Sequence, residues 1–166
     1  MSTTGQANET HSPCECEDDL MGLPGEIDVS VYEGLRDVLQ RQPEITTVTY
    51  EPNAIIKRSL RATIDPNRVT PATGPASPTL DVEWRFVDGI SYYRIHYSDP
   101  NSGFNCGWHR DSDHPDLGPV HFQYEDPESE TSECSEAHFP KTVPTEILWD
   151  ALERLFDIWL PELTNG

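Results

Sequence analysis

Histidine and arginine recur along residues 81–123 at positions that alternate with apolar side chains. If this alternation is continued from strand to strand, one face of a sheet receives a polar set: Asp81, Glu83, Arg85, Tyr92, Arg94, His96, Asn105, His109, His121 and Gln123. Histidine can act as an acid or a base near neutral pH, and arginine binds phosphate and stabilises negative charge. The set suits work on a phosphodiester backbone. The alternative is a sheet face that is simply solvated.

A loop between two of these strands adds acidic residues to the histidines. Residues 109–121 hold His109, His114 and His121 together with Asp111, Asp113 and Asp116. Such side chains could bind a divalent metal, but their spacing fits no zinc or calcium loop, and an Asp- and Pro-rich run also suits an ordinary turn.

These observations give a set of candidate site residues. The candidate catalytic residues are Arg94, His96, His109, His114 and His121. The candidate binding residues are Glu83, Arg85, Tyr92, Asp111 and Asp113. We predict no metal ligand and no cofactor, and the sequence has no glycine-rich phosphate loop, nucleophile elbow or dinucleotide fingerprint.

The elements that position these residues begin with a hairpin. Asp88-Gly89 is a two-residue turn of the type I′ class, so Val87 faces Ile90, and counting outward places Glu83 opposite Arg94 and Leu80 opposite Tyr97. A slip of one residue would destroy the sorting of apolar and polar side chains, which favours this register.

The remaining pattern predicts an α+β domain. Further strands are expected at 45–50, 104–109 and 120–124, and 55–64 is read as a strand with a helix as the alternative. A helix at 29–41 would begin with a Ser30–Glu33 capping box, and a second would begin at Pro144 and stop at Pro161. We expect two layers: a mostly antiparallel sheet of four to five strands, with both helices on one face.

Composition predicts the organisation of the rest of the chain. Residues 1–22 are predicted to be a disordered acidic tail and residues 23–166 a single domain. The acidic run 125–136 reads as a solvated loop, and 66–79, with four prolines, as a connection. The tail has no signal peptide and no segment could span a membrane, so a cytoplasmic protein with thiol cysteines is expected. Cys14 and Cys16 with Cys106 or Cys134 form a weak alternative zinc set, because only one close pair is present.

The sequence carries a strong negative charge. Its 166 residues include 30 acidic and 11 basic side chains, for a net charge of −19, and only Lys57 and Lys141 are lysines. An acidic tail or mimicry of nucleic acid are alternatives, but carboxylates spread through the folded region favour adaptation to molar salt.

The order of motifs resembles the TumE-type toxin-like family of toxin–antitoxin systems, which has halophilic archaeal relatives. The resemblance covers about residues 80–150: a hairpin ending in YYRIHYSD, the run CGWHRDSDHPDLGPVHFQY and the helix VPTEILWDALERLF. Trp108, Asp111, His114, Pro115 and His121 match the family pattern, whereas Gln123 and Tyr124 stand where relatives are richer in histidine. The resemblance implies a toxin with a cognate antitoxin partner, for example of the helix-turn-helix type, acting on RNA or translation. The alternative is a non-enzymatic domain that binds a protein partner.

The charge leads to a prediction about salt. We expect the fold to lose structure when the ionic strength is lowered, because a net charge of −19 repels itself when unscreened. Circular dichroism from molar salt to dilute buffer measures this, and an unchanged spectrum and melting temperature would contradict it.

Overall fold

The protein is an α+β fold built on one antiparallel sheet of seven strands. The computed structural model describes residues 23–111 and 118–163, so the predicted tail at 1–22 lies outside the described residues. The elements are α1 (Val29–Gln40), β1 (Ile45–Pro52), β2 (Lys57–Ile64), β3 (Thr79–Val87), β4 (Ile90–Ser98), β5 (Asn105–Arg110), β6 (Val120–Asp126), β7 (Thr131–Glu136) and α2 (Pro144–Arg154). A π-helical turn (Leu155–Trp159) and a short helix, α3 (Leu160–Leu163), follow α2.

The sheet is a meander in which neighbours in sequence are neighbours in space. Its strand order is β1-β2-β3-β4-β5-β6-β7, and all six pairings are antiparallel. The predicted hairpin register is confirmed, from Val87 opposite Ile90 to Leu80 opposite Tyr97. Asp88 and Gly89 have φ of 52° and 79°, the positive values that a type I′ turn requires. The prediction of a strand rather than a helix at 55–64 is confirmed over Lys57–Ile64.

The prediction of four to five strands is wrong, because the sheet has seven: six lie in the segments predicted as strands, and the seventh, β7, was read as a loop. Residues 131–136 are polar and acidic, but they pair along their length with β6, from Asp126 opposite Thr131 to His121 opposite Glu136. An edge strand is held by its backbone hydrogen bonds and needs no apolar side chains, and charge on an edge prevents further pairing. Composition alone therefore gave no sign of this strand.

The helix ends also differ from expectation. Asp28, not Ser30, caps α1: its carboxylate accepts hydrogen bonds from the backbone N–H groups of Ser30 and Val31, at 3.0 and 3.4 Å. Pro144 opens α2 as predicted, but Pro161 does not end the helical chain, which continues to Leu163. The π-helical turn changes the bonding, with Leu160 N–H donating to Leu155 C=O. Pro161 then lies in the first turn of α3, where a missing N–H costs little.

One core joins the helices to alternate residues of the strands. We call the strand residues that enter this core the apolar face: Leu60, Ala62, Ile64, Leu80, Val82, Trp84, Tyr93, Ile95, Tyr97, Cys106, Trp108, Val120 and Phe122, all buried. The helices supply Tyr32, Leu35, Leu39, Ile147, Leu148, Ala151 and Leu152 to the same cluster. The opposite side is called the polar face below. Of the helices in the described part of the chain, none is long and apolar enough to cross a membrane.

Candidate metal centre

Two histidines on the polar face are brought together by strand pairing. His109 in β5 lies directly opposite His121 in β6, and their rings meet edge to face with centroids 5.2 Å apart. Both are buried, with 5% and 1% of their surface exposed. The sequence predicted that both would point to this face, but not that they would be withdrawn from water.

Asp111 completes a group of three possible metal ligands. It follows His109 by two residues, so it returns to the same side of the chain just beyond the end of β5. One ligand atom each from His109, Asp111 and His121 lies within 4.8 Å of the other two. Atoms around one zinc ion, at about 2.1 Å from it, lie roughly 3.4 Å apart in a tetrahedron. Side-chain movements on the order of 1 Å would therefore close the group around an ion.

His96 in β4 extends the histidine group. Its ring centroid is 6.0 Å from that of His109, and burial, with a smaller contribution from Arg94, lowers the pKa of His96 to about 4. His96 is therefore neutral at pH 7. Within the described part of the chain its Nδ1 has no hydrogen-bond partner.

Gly107 makes room for this arrangement. It pairs with His96 on one side and with Gln123 on the other, and a Cβ placed on it would collide with the carbonyl oxygen of Ile95. Strands β4 and β5 can approach closely only because this position has no side chain. Gln123 is itself buried on the polar face. Sequence alternation placed Gln123 on this face, but neither residue was included in the predicted site.

The predicted binding residues Glu83 and Arg85 form a separate group. Arg85 is buried and makes an ion pair with Glu83 at 2.8 Å. Its guanidinium also donates to the backbone carbonyls of Arg58 and Trp84, at 2.8 and 3.0 Å. These contacts leave Arg85 occupied by the fold rather than presented to a ligand.

Tyr32 explains why an arginine is held there. The β2–β3 ladder extends only to Leu60 opposite Val82. Beyond that point the Tyr32 hydroxyl, from α1, donates to the carbonyl of Arg58 and accepts from the N–H of Trp84 at 3.0 Å and from Arg85 at 2.6 Å. The hydroxyl thus bridges two strands where their direct pairing has ended.

Arg94 connects the two groups in register. It faces Glu83 on β3 and His109 on β5, and the predicted cross-strand pair with Glu83 is present, with a separation of 3.9 Å. Tyr92 lies farther toward the hairpin, opposite Arg85. The predicted site residues Asp113 and His114 fall outside the described residues.

A cavity of about 430 Å³ next to His96 shows the charge of this surface. Three carboxylates and two guanidiniums line it: Glu51, Asp81, Glu83, Arg61 and Arg94. Arg61 is paired with Asp81 at 2.8 Å. Polyanions such as RNA bind where lysine and arginine neutralise phosphates, and this cavity has more carboxylates than cations.

The cysteines do not support the alternative zinc set. Cys106 is a free, fully buried thiol on the apolar face, and burial raises its pKa well above the ordinary value. Cys134 is disulfide-bonded, so the expectation that all the cysteines are thiols is wrong. The expectation of thiols rested on a predicted cytoplasmic location, and the spacing of the cysteines does not reveal the compartment.

The Arg85 contacts lead to a stability prediction. Arg85→Gln should lower the free energy of unfolding by about 3 kcal/mol, because it leaves Glu83 without its closest partner in a mostly buried position. The matched control is Arg61→Gln, which breaks an exposed ion pair and should cost about 1 kcal/mol or less. Denaturant unfolding in molar salt measures both, and equal losses would show that Arg85 has no special structural role.

Comparison with known proteins gives no family for this fold and site: no protein-family model, no curated protein and no solved structure matches the chain.

Proposed function

We propose that this protein binds a divalent transition-metal ion at His109, Asp111 and His121. The observation that carries the proposal is the convergence of three ligand atoms within 4.8 Å on adjacent strands. Strand pairing fixes the two histidines, so most of the ordering that a metal site requires is already supplied by the sheet.

The ligand types select the kind of ion. Imidazole nitrogens suit zinc, copper, iron and nickel, whereas magnesium and calcium prefer oxygen ligands. Two imidazoles and one carboxylate provide a single negative charge against the two positive charges of the ion. Burial of both histidines reduces screening by water, which strengthens the attraction between the carboxylate and the cation.

The described residues supply three ligands, a number that suggests chemistry as well as binding. Catalytic zinc sites use three protein ligands and keep a water molecule in the next position, where its pKa falls to about 7. Asp111 is only partly buried, so the group is reached by solvent on its side. We therefore propose a Lewis-acid centre rather than a closed structural site.

Zinc binding by the whole protein tests this proposal. Equilibrium dialysis in molar potassium chloride should give one tightly bound zinc ion per chain. Asp111→Asn should weaken binding by tenfold or more, about 1.4 kcal/mol, because the isosteric amide keeps its shape but loses the charge. His121→Ala should abolish stoichiometric binding.

The control for these variants is His138→Ala, which removes an exposed histidine elsewhere and should leave binding unchanged. Circular dichroism establishes that each variant is folded. Wild-type protein that binds no zinc, or Asp111→Asn and His121→Ala proteins that bind as the wild type does, would contradict the proposal.

A toxin role in a toxin–antitoxin pair is a second candidate. It is favoured by the sequence motif, since Asp111 and His121 belong both to the TumE-like pattern and to the ligand group. The acidic, internally paired polar face makes RNA a less suitable direct target than a component of the translation machinery or another protein. A cognate antitoxin would then be the protein partner.

The toxin role predicts a growth phenotype. Expression in a salt-adapted host should arrest growth, co-expression of the adjacent gene should relieve the arrest, and His121→Ala should remove it because that change abolishes stoichiometric zinc binding. Arg41→Gln, an exposed change just after the end of α1, serves as the control. Unimpaired growth with folded wild-type protein would contradict this role and leave metal binding untouched.

A further inference from the structure

A cleft of about 660 Å³ opens on the apolar side of the sheet, away from the histidine group. It lies between the β3–β4 turn, the adjoining ends of β5 and β6, and the segment 136–142 that leads to α2. Clefts of roughly 300–1,000 Å³ are the size that small-molecule ligands occupy.

The floor of this cleft is apolar and rigidly held. Tyr93, Val120, Phe139 and Ile147 line it, and each is buried, with at most 8% of its surface exposed. Ile90 at its edge is exposed. Tyr93 and Val120 belong to strands, Ile147 to the start of α2 and Phe139 to the segment between β7 and α2, and all four are part of the core cluster, so a ligand would meet a surface that needs little ordering.

Two cations stand at this apolar surface. Arg110 pairs in register with Tyr93 and with Val120, which places it on the apolar side of β5, and Lys141 lies in the segment opposite. Within the described part of the chain, neither has a carboxylate within ion-pair distance. One described carboxylate, Glu136, lines the cleft.

Five of the eleven basic side chains form ion pairs with described carboxylates. The described ion pairs engage Arg41, Arg61, Arg68, Arg85 and Arg94 with neighbouring carboxylates, as expected when 30 acidic residues surround 11 basic ones. Arg154 adds positive charge behind the floor, with its guanidinium carbon 4.3 Å from the centroid of the Phe139 ring. Arg110 and Lys141 thus outnumber Glu136 among the described side chains that line the cleft, on a strongly negative molecule.

The phenol of Tyr93 adds a hydrogen-bond donor. Burial raises the pKa of Tyr93 to about 12, against the smaller opposing effects of Arg110 and Arg154. The hydroxyl therefore keeps its proton at neutral pH and can donate to an anion held by Arg110.

We propose that this cleft binds a small organic monocarboxylate, with its carboxylate at Arg110 and Lys141 and its hydrocarbon body on Tyr93, Phe139 and Ile147. Two cations against one carboxylate leave one positive charge, which suits a monoanion better than a polyphosphate. A hydrocarbon body gains free energy when it covers the apolar floor, and an inorganic anion would not obtain this gain.

Titration with phenylacetate tests the proposal on the full-length protein. Amide NMR signals should be followed at constant ionic strength, with EDTA present so that no metal ion binds the carboxylate. Phenylacetate should shift signals from residues 89–93 and 137–142. The neutral isostere phenylacetamide should bind at least about tenfold more weakly, because it lacks the charge that Arg110 and Lys141 recognise.

Charge variants locate the interaction. Arg110→Gln should weaken phenylacetate binding about tenfold and Lys141→Gln about threefold, whereas Arg41→Gln, which removes an exposed cation just after α1, should leave it unchanged. In the wild-type protein, equal affinity for phenylacetate and phenylacetamide, or no binding of phenylacetate, would overturn the proposal. An equal loss of phenylacetate affinity in Arg41→Gln and Arg110→Gln would also overturn it. Because EDTA is present, none of these outcomes depends on the metal centre.

Discussion

The register of the β3–β4 hairpin is the constraint on which the rest of the structure depends. The turn residues Asp88 and Gly89 adopt positive φ, and a two-residue turn permits one alignment of the strands it joins. The meander passes this alignment from each strand to the next, until His109 faces His121. A shift of one residue would send these histidines into the core and expose Trp108 and Phe122. The ligand geometry is therefore a consequence of strand pairing.

Because acidic side chains greatly outnumber basic ones, many of the basic side chains are paired with carboxylates. Most of the described arginines are paired within the fold, and Arg85 supports the place where β2 and β3 separate, together with the Tyr32 hydroxyl. Arg110 and Lys141 lie together at the cleft, without a described carboxylate within ion-pair distance. In molar salt the Debye length is about 3 Å, so recognition of a charged ligand must occur at contact distance. A cleft with two cations on an apolar floor meets that condition.

Periodicity could predict which residues share a face, and it did so for the hairpin, β5 and β6, including both histidines of the ligand group. It could not predict how deeply a polar side chain is buried, which depends on the elements packed above it. Arg85 illustrates this, because its partner Tyr32 lies 53 residues away. The edge strand β7 was missed because its side chains carry no apolar signal. Pro161 was wrongly expected to end the helix, because the preceding π-helical turn removes the need for a backbone N–H at this position. The prediction of no metal ligand rested on linear spacing, which does not show that pairing of β5 with β6 brings three possible ligand atoms together.

The central claim is that strand pairing builds a metal centre from His109, Asp111 and His121. Anomalous diffraction at the zinc absorption edge, from crystals grown with zinc, tests it most directly. The account predicts a strong peak about 2.0–2.2 Å from an imidazole nitrogen of each histidine and from a carboxylate oxygen of Asp111. Zinc found only at surface carboxylates, with no peak between the two histidines, would contradict it.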